Sequence, residues 1–265
     1  MDRVELRPAV VVTGASEGIG AELARVFAAE GRETVLVARR RELLESLSAE
    51  IAAAGAPKPL VVALDLCAPD AAENLAQAVA AAGLSVETLV NNAGFGLLGP
   101  MLALDAAEQV AMVDLNVRAL TALTLRFLPQ IVAASGGVLN VASVASFAPG
   151  PNFAVYYASK AYVLSFSEAL AQEMAPHGVK VSCLCPGPVL TGFQARAGLK
   201  FQGPAAAITP ALLPAAEVAR QGYAGLMGGR RVVVPGLLNR IVLALVRATP
   251  RAILLPVLAF AQNGR

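Results

Sequence analysis

The stretch AVVVTGASEGIGAELARVFAAEG, residues 9–31, changes period halfway along. Val10, Val11 and Val12 form a short β-branched run of the kind a strand buried on both faces carries. Beyond it, Ile19, Leu23, Val26 and Phe27 recur at the spacing of one helical face, and Gly31 is a natural stop. Between the two lie Gly14, Gly18 and Gly20, in a G-x-x-x-G-x-G spacing. Glycines there permit a tight turn and close backbone approach, and the helix that follows offers free N–H groups and the positive end of its dipole. That arrangement suits a pyrophosphate, so the stretch predicts a dinucleotide-binding strand–loop–helix unit; an ordinary glycine-rich turn is the structural alternative.

Working outward, the alternation continues. TVLVAR (34–39), PLVVALDL (59–66) and VETLVNNAG (86–94) read as strands, and Leu44, Leu47 and Ile51 mark a helix between the first two. A long helical stretch is expected over 105–134, then strands at GGVLNVAS and VKVSCLCPG with a helix between them. Strands alternating with helices imply the α/β class, a doubly wound parallel sheet. No Gly/Ser- or Pro-rich linker splits the 265 residues, so one domain is expected: 1–190 as core, 191–231 as substrate lid and following helix, 232–265 as last strand and tail.

Composition narrows the function. The net charge of +2 gives no reason to expect nucleic acid as a partner, and three cysteines without a C-x-x-C pair, beside one histidine, argue against a metal site. Cys183 and Cys185 alternate as same-face residues of a buried strand, which fits a reduced, cytoplasmic protein. His177 falls in a turn and receives no chemistry. No signal peptide and no apolar run of membrane-spanning length is expected.

In AVYYASKAY (154–162), Tyr156 and Tyr157 stand four and three residues before Lys160. Both spacings make helix neighbours, so local geometry does not choose between them. Together with TGASEGIG (13–20), NNAG (91–94), Asn116, Ser143 in NVASVAS and PGPVLTGF (186–193), this segment resembles the short-chain dehydrogenase/reductase family, in order and spacing, over residues 8–193. The resemblance puts the catalytic tyrosine at Tyr156. It implies Ser143 as the anchor of the substrate oxygen, Lys160 as pKa tuner and ribose ligand, and Asn116 as part of a proton relay. A free phenol has a pKa of ~10, so a neighbouring ammonium would favour its ionisation.

The cofactor implied is a nicotinamide dinucleotide, held by Gly14, Ser16, Gly18, Ile19, Gly20, Asp65, Asn92, Ala93, Gly94, Pro186, Gly187 and Thr191 together with Tyr156 and Lys160. NAD-selective folds place an acid at the end of the second strand; here Ala38 takes that place, followed by Arg39 and Arg40. NADP(H) is therefore expected over NAD(H), with Glu17 as the one residue that opposes a 2′-phosphate.

The expected activity is carbonyl–alcohol interconversion on a small lipophilic substrate, by a homo-oligomer, a dimer or tetramer. A 3-oxoacyl-CoA or acyl-carrier reductase and a non-catalytic dinucleotide-binding or membrane-surface protein are the alternatives. No acid follows Glu217, whereas Arg240, Arg247 and Arg251 recur at i, i+7, i+11 among apolar residues, one helical face provided the helix survives Pro250. Packing on the body or a second subunit, peripheral contact with an anionic membrane, and recognition of an anionic carrier are three readings of that tail.

Overall fold

Strand β1 (Arg7–Thr13) runs into the glycine turn and α1 (Gly18–Ala29), and the same strand–helix step repeats as β2 (Glu33–Ala38), α2 (Arg41–Ala53), β3 (Leu60–Ala63) and α3 (Ala71–Ala81). The computed structural model describes residues 6–189, 192–198 and 212–263. The second half carries β4 (Leu84–Asn91), α4 (Ala106–Val113), α5 (Leu120–Ala133), β5 (Gly137–Val141), α6 (Ala154–Met174) and β6 (Lys180–Leu184). It continues with α7 (Gly192–Ala197), α8 (Ala215–Met227), β7 (Val232–Val233), α9 (Leu237–Ala248) and α10 (Arg251–Asn263).

The strands form one seven-stranded sheet in the order β3-β2-β1-β4-β5-β6-β7, with every pairing parallel. The valine run explains why β1 is central. Val10 and Val12 point into a cluster with Leu23 and Phe27 of α1 and Leu226 of α8, while Ala9 and Val11 meet Phe127 and Ile131 of α5 on the other face. A strand covered on both sides has no need of polar alternation. The chain winds outward from β1 to β3 and returns to place β4 beside β1, so their C-terminal ends open a crevice at the switch point. Asn91 and Asn140, buried neighbours on β4 and β5, are hydrogen-bonded to each other at 2.9 Å and reach Thr124 on α5 and Ser167 on α6.

Two expectations change in detail. The single helix expected over 105–134 is α4 and α5 joined by a π turn, Asp114–Ala119. Periodicity averages over such an insertion, so the sequence shows only one helix. The tail arginines do not share one helix: Thr249 is extended ahead of Pro250, so Arg240 and Arg247 lie on α9 and Arg251 opens α10. His177 lies in the short turn between α6 and β6, as expected. Thr191 and most of the expected lid lie outside the described residues.

Candidate active site

The crevice is a cavity of about 820 Å³ that reaches from the glycine turn, past Arg39 and Asp65, to Tyr156 and Arg196. Gly14 and Gly18 adopt positive φ, 64° and 60°, which a side chain would resist. Gly20 is needed for contact rather than for its dihedral: a Cβ there would lie 2.3 Å from the Gly14 carbonyl oxygen and 2.4 Å from Asn92 Nδ2. Asn92 is itself fixed, since its Nδ2 donates to the carbonyls of Thr13 at 2.9 Å and Gly14 at 3.2 Å. The Thr13 hydroxyl accepts from the backbone N–H of Asn92 and of Ala93, so the end of β4 is bolted to the turn after β1. No side chain caps α1, whose cap residue is Glu17, so its first-turn N–H groups face the crevice unpaired by any cap, the condition an anion there requires.

Ser143, two residues beyond β5, caps the short 3-10 turn Val144–Phe147, its Oγ accepting from Ala145 N at 3.1 Å. The Tyr156 hydroxyl lies close enough to Ser143 that the serine partly offsets the rise of its pKa. Its ring stacks on Phe153 at 4.5 Å and meets Phe193 at 5.4 Å. Tyr157 instead packs against the Gly150 turn, where a Cβ would come within 2.4 Å of its ring. The two adjacent tyrosines therefore differ: Tyr156 is in reach of the serine, and Tyr157 fills a wall.

Lys160 is 6% exposed, donates from Nζ to the Val141 carbonyl at 2.9 Å, and lies 5.9 Å from the centre of the Tyr156 ring. Burial governs both groups. It pushes Tyr156 up to about 12 and Lys160 down to about 8, because each loses the solvation of its charged form. Burial, and not the ammonium neighbour, thus governs the phenol, and Tyr156 is held neutral.

The depressed lysine has a stability consequence. Below pH 8 folding must bury an ammonium; between about 8 and 10.5 the unfolded chain alone holds that proton, so stability rises with pH. The cost at neutral pH is on the order of 3 kcal/mol. Lys160→Met is expected to gain stability relative to the parent at pH 7, with the gain shrinking as pH climbs through 8 toward 10.5. Urea denaturation across that range checks it, and a pH-independent difference would contradict it.

Asn116 sits within the π turn, 1% exposed. Its Oδ1 accepts from Phe95 N at 3.1 Å, and its Nδ2 donates to the Phe95 carbonyl and to Ser159 Oγ, each at 3.0 Å. Both amide protons are spent, so the side chain pins the loop after β4 to α6. Gly94 lets that loop pass: a Cβ would be 2.9 Å from Asn116 Oδ1 and 3.4 Å from Lys160 Nζ.

Ser16, Ile19, Asp65, Ala93, Pro186 and Gly187 line the cavity, whereas Gly20 and Asn116 shape it from behind. Asp65 Oδ1 accepts from the Cys67 backbone at 3.0 Å. Arg40 pairs with Glu17 at 2.7 Å and donates to Ser16 Oγ at 2.9 Å, while Arg39 lines the cavity beside Ala38. The sequence reading missed the aromatic wall of Phe95, Phe153 and Phe193, against which Arg196 of the expected lid lays its guanidinium, 4.2 Å over the Phe95 ring. Aromatics scattered from 95 to 193 carry no local signal; only the fold gathers them.

Residues 8–200 match the family model described as short chain dehydrogenase. The chain belongs to the short-chain dehydrogenase family. It is 38% identical over 184 residues to a short chain dehydrogenase of Pseudocercospora fijiensis, covering 68% of this chain and 59% of that relative. It is 36% identical over 179 residues to the very-long-chain 3-oxoacyl-CoA reductase of Pyrenophora tritici-repentis, covering 66% and 52%. A solved short-chain dehydrogenase of Sphingobium yanoikuyae in complex with NADPH superposes with a TM-score of 0.78 at 29% identity, covering 92% of this chain and 97% of that one. The chain thus spans between about half and three-fifths of the length of these curated relatives. The family's Rossmann-type sheet is the one described above.

Proposed function

We propose that this family member is an NADP(H)-dependent oxidoreductase that interconverts a carbonyl and a secondary alcohol on a lipophilic substrate, acting as a reductase. The observation that carries the reading is Tyr156 beside Ser143, in one cavity with an uncapped helix N-terminus and Lys160. When bound, a reduced nicotinamide supplies hydride to the carbonyl carbon. The chain handles the proton. Tyr156, neutral well above physiological pH, donates it to the carbonyl oxygen, and the Ser143 hydroxyl orients that oxygen. The Lys160 ammonium then steadies the phenolate left behind and is placed to hold a ribose hydroxyl. Asn116 acts through its hold on the Phe95 backbone. A scaffold without turnover would have no use for Tyr156, Ser143 and Lys160 gathered in one cavity.

Preference for the 2′-phosphate rests on three features. No carboxylate ends β2, Arg39 lines the cavity there, and the charge of Glu17, the opposing residue, is met by Arg40. A hydrogen bond to a charged group contributes about 1.5–3 kcal/mol. Arg39→Asp is therefore expected to weaken NADPH binding roughly ten- to a hundredfold with little effect on NADH, read by fluorescence titration of both cofactors. Unchanged selectivity would remove Arg39 from the assignment.

The wall of Phe95, Phe153 and Phe193 supports a lipophilic substrate. Arg196 favours a second reading, a 3-oxoacyl thioester, because it brings a cation without a carboxylate partner among the described residues to the same wall. Exposed Val110, Val113 and Leu125 on α4 and α5 support a homo-oligomer. The test is turnover of purified protein with NADPH and NADH against neutral ketones, ketosteroids and 3-oxoacyl thioesters. Thioesters outcompeting neutral ketones favours the second reading, and no turnover on any of them defeats both.

A further inference from the structure

The tail is apolar on the outside. On α9, Leu237, Leu238, Ile241, Val242 and Leu245 are half or more exposed, whereas Leu243 alone of that helix is buried. These five positions fall on one helical face. On α10, Ile253, Val257 and Phe260 are 59%, 58% and 84% exposed at i, i+4, i+7, with Leu254 as the buried anchor. Lone exposed apolar residues are ordinary, but two consecutive helices each carrying a stripe imply a partner.

Charge decides which partner. Arg240, Arg247 and Arg251 are exposed, and none forms an ion pair among the described residues. Arg240 Nε donates to the Val234 carbonyl at 2.9 Å, and Arg247 lies 4.6 Å over the Phe147 ring, so both side chains turn toward the body side of α9 rather than into its apolar stripe. No acidic residue occurs after Glu217, so the tail carries only positive charge beside its stripes, as a helix lying on an anionic surface does. Helices of 12 and 13 residues do not reach across a bilayer, and no described helix is long and apolar enough to do so.

We infer that α9 and α10 lie in the surface of an anionic phospholipid bilayer, with their apolar stripes among the acyl chains and Arg251 at the phosphates. The placement matters for the site. Asn239 on α9 abuts Gly187 of the cavity-lining loop, where a Cβ would meet it at 2.5 Å, and Arg247 covers Phe147 in the turn capped by Ser143. Docking therefore sets the wall of the crevice beside the lipid, from which an apolar substrate can enter. The docking itself does not depend on the substrate reading.

Flotation of the full-length protein with vesicles tests it, without substrate or cofactor. The protein is expected to float with phosphatidylcholine–phosphatidylglycerol vesicles, to do so far less with phosphatidylcholine alone, and to be released by salt. The double variant Ile241→Asp, Leu245→Asp should lose flotation, and Arg251→Glu, which touches no core, should weaken it at least about fivefold. Circular dichroism and thermal melting establish that both variants are folded. Absence of flotation, or equal flotation on neutral vesicles, overturns the inference. So does a double variant that dissociates in sedimentation equilibrium while the parent ignores lipid, which would assign the stripes to a second copy.

Discussion

Changing Tyr156 to phenylalanine lowers kcat by roughly a thousandfold, because positioned acid–base groups supply about 10²–10⁴ in rate, while NADPH binding persists. The ring stays stacked between Phe153 and Phe193, so the cavity keeps its shape and only the proton donor is lost. Tyr157→Phe, one residue on, retains substantial activity, since that ring packs on the Gly150 turn. Steady-state kinetics of the pair, with cofactor binding measured separately, reads the result. Comparable losses in both variants would mean that packing, not proton donation, is what the segment provides.

Gly20→Val abolishes dinucleotide binding and lowers the melting temperature together. The new Cβ would stand 2.3 Å from the Gly14 carbonyl and 2.4 Å from Asn92 Nδ2, and neither is the free end of a flexible side chain. Relief requires α1 to swing away from the β1 turn, breaking the Asn92 bonds to Thr13 and Gly14 and moving the helix N-terminus off the phosphate position. Overpacking of this kind costs about 1–3 kcal/mol, and the binding loss is expected to exceed a hundredfold by the reasoning that displaced helix N–H groups no longer reach an anion. Calorimetric titration with NADPH and a thermal melt check both arms. Undiminished affinity would show that the glycine turn is not where the cofactor sits.

Much of the architecture was legible because it is written in local periods. The valine run, the glycine spacing and the Ile19–Phe27 stripe are contiguous, and each follows from what a two-sided strand, a tight turn and a half-buried helix require. Asn116 was legible as a residue but not as a geometry: six residues of π turn leave the apolar pattern of 105–134 almost unchanged, yet they set where its amide points. The tail shows the opposite failure. Its i, i+7, i+11 arginines suggested one basic face, and a single extended residue before Pro250 divides it between two helices.

Sequence alone determined the order of strands and helices in the core and the parallel sheet. It could do so because those depend on neighbours a few residues apart. Tertiary structure alone decided that Tyr157 packs on the Gly150 turn, that Arg40 reaches back to Glu17, and that Lys160 is buried deeply enough to fall to about 8 while Tyr156 rises to about 12. Those outcomes depend on solvent exclusion and on contacts between segments far apart in the chain, and neither is encoded in any one stretch.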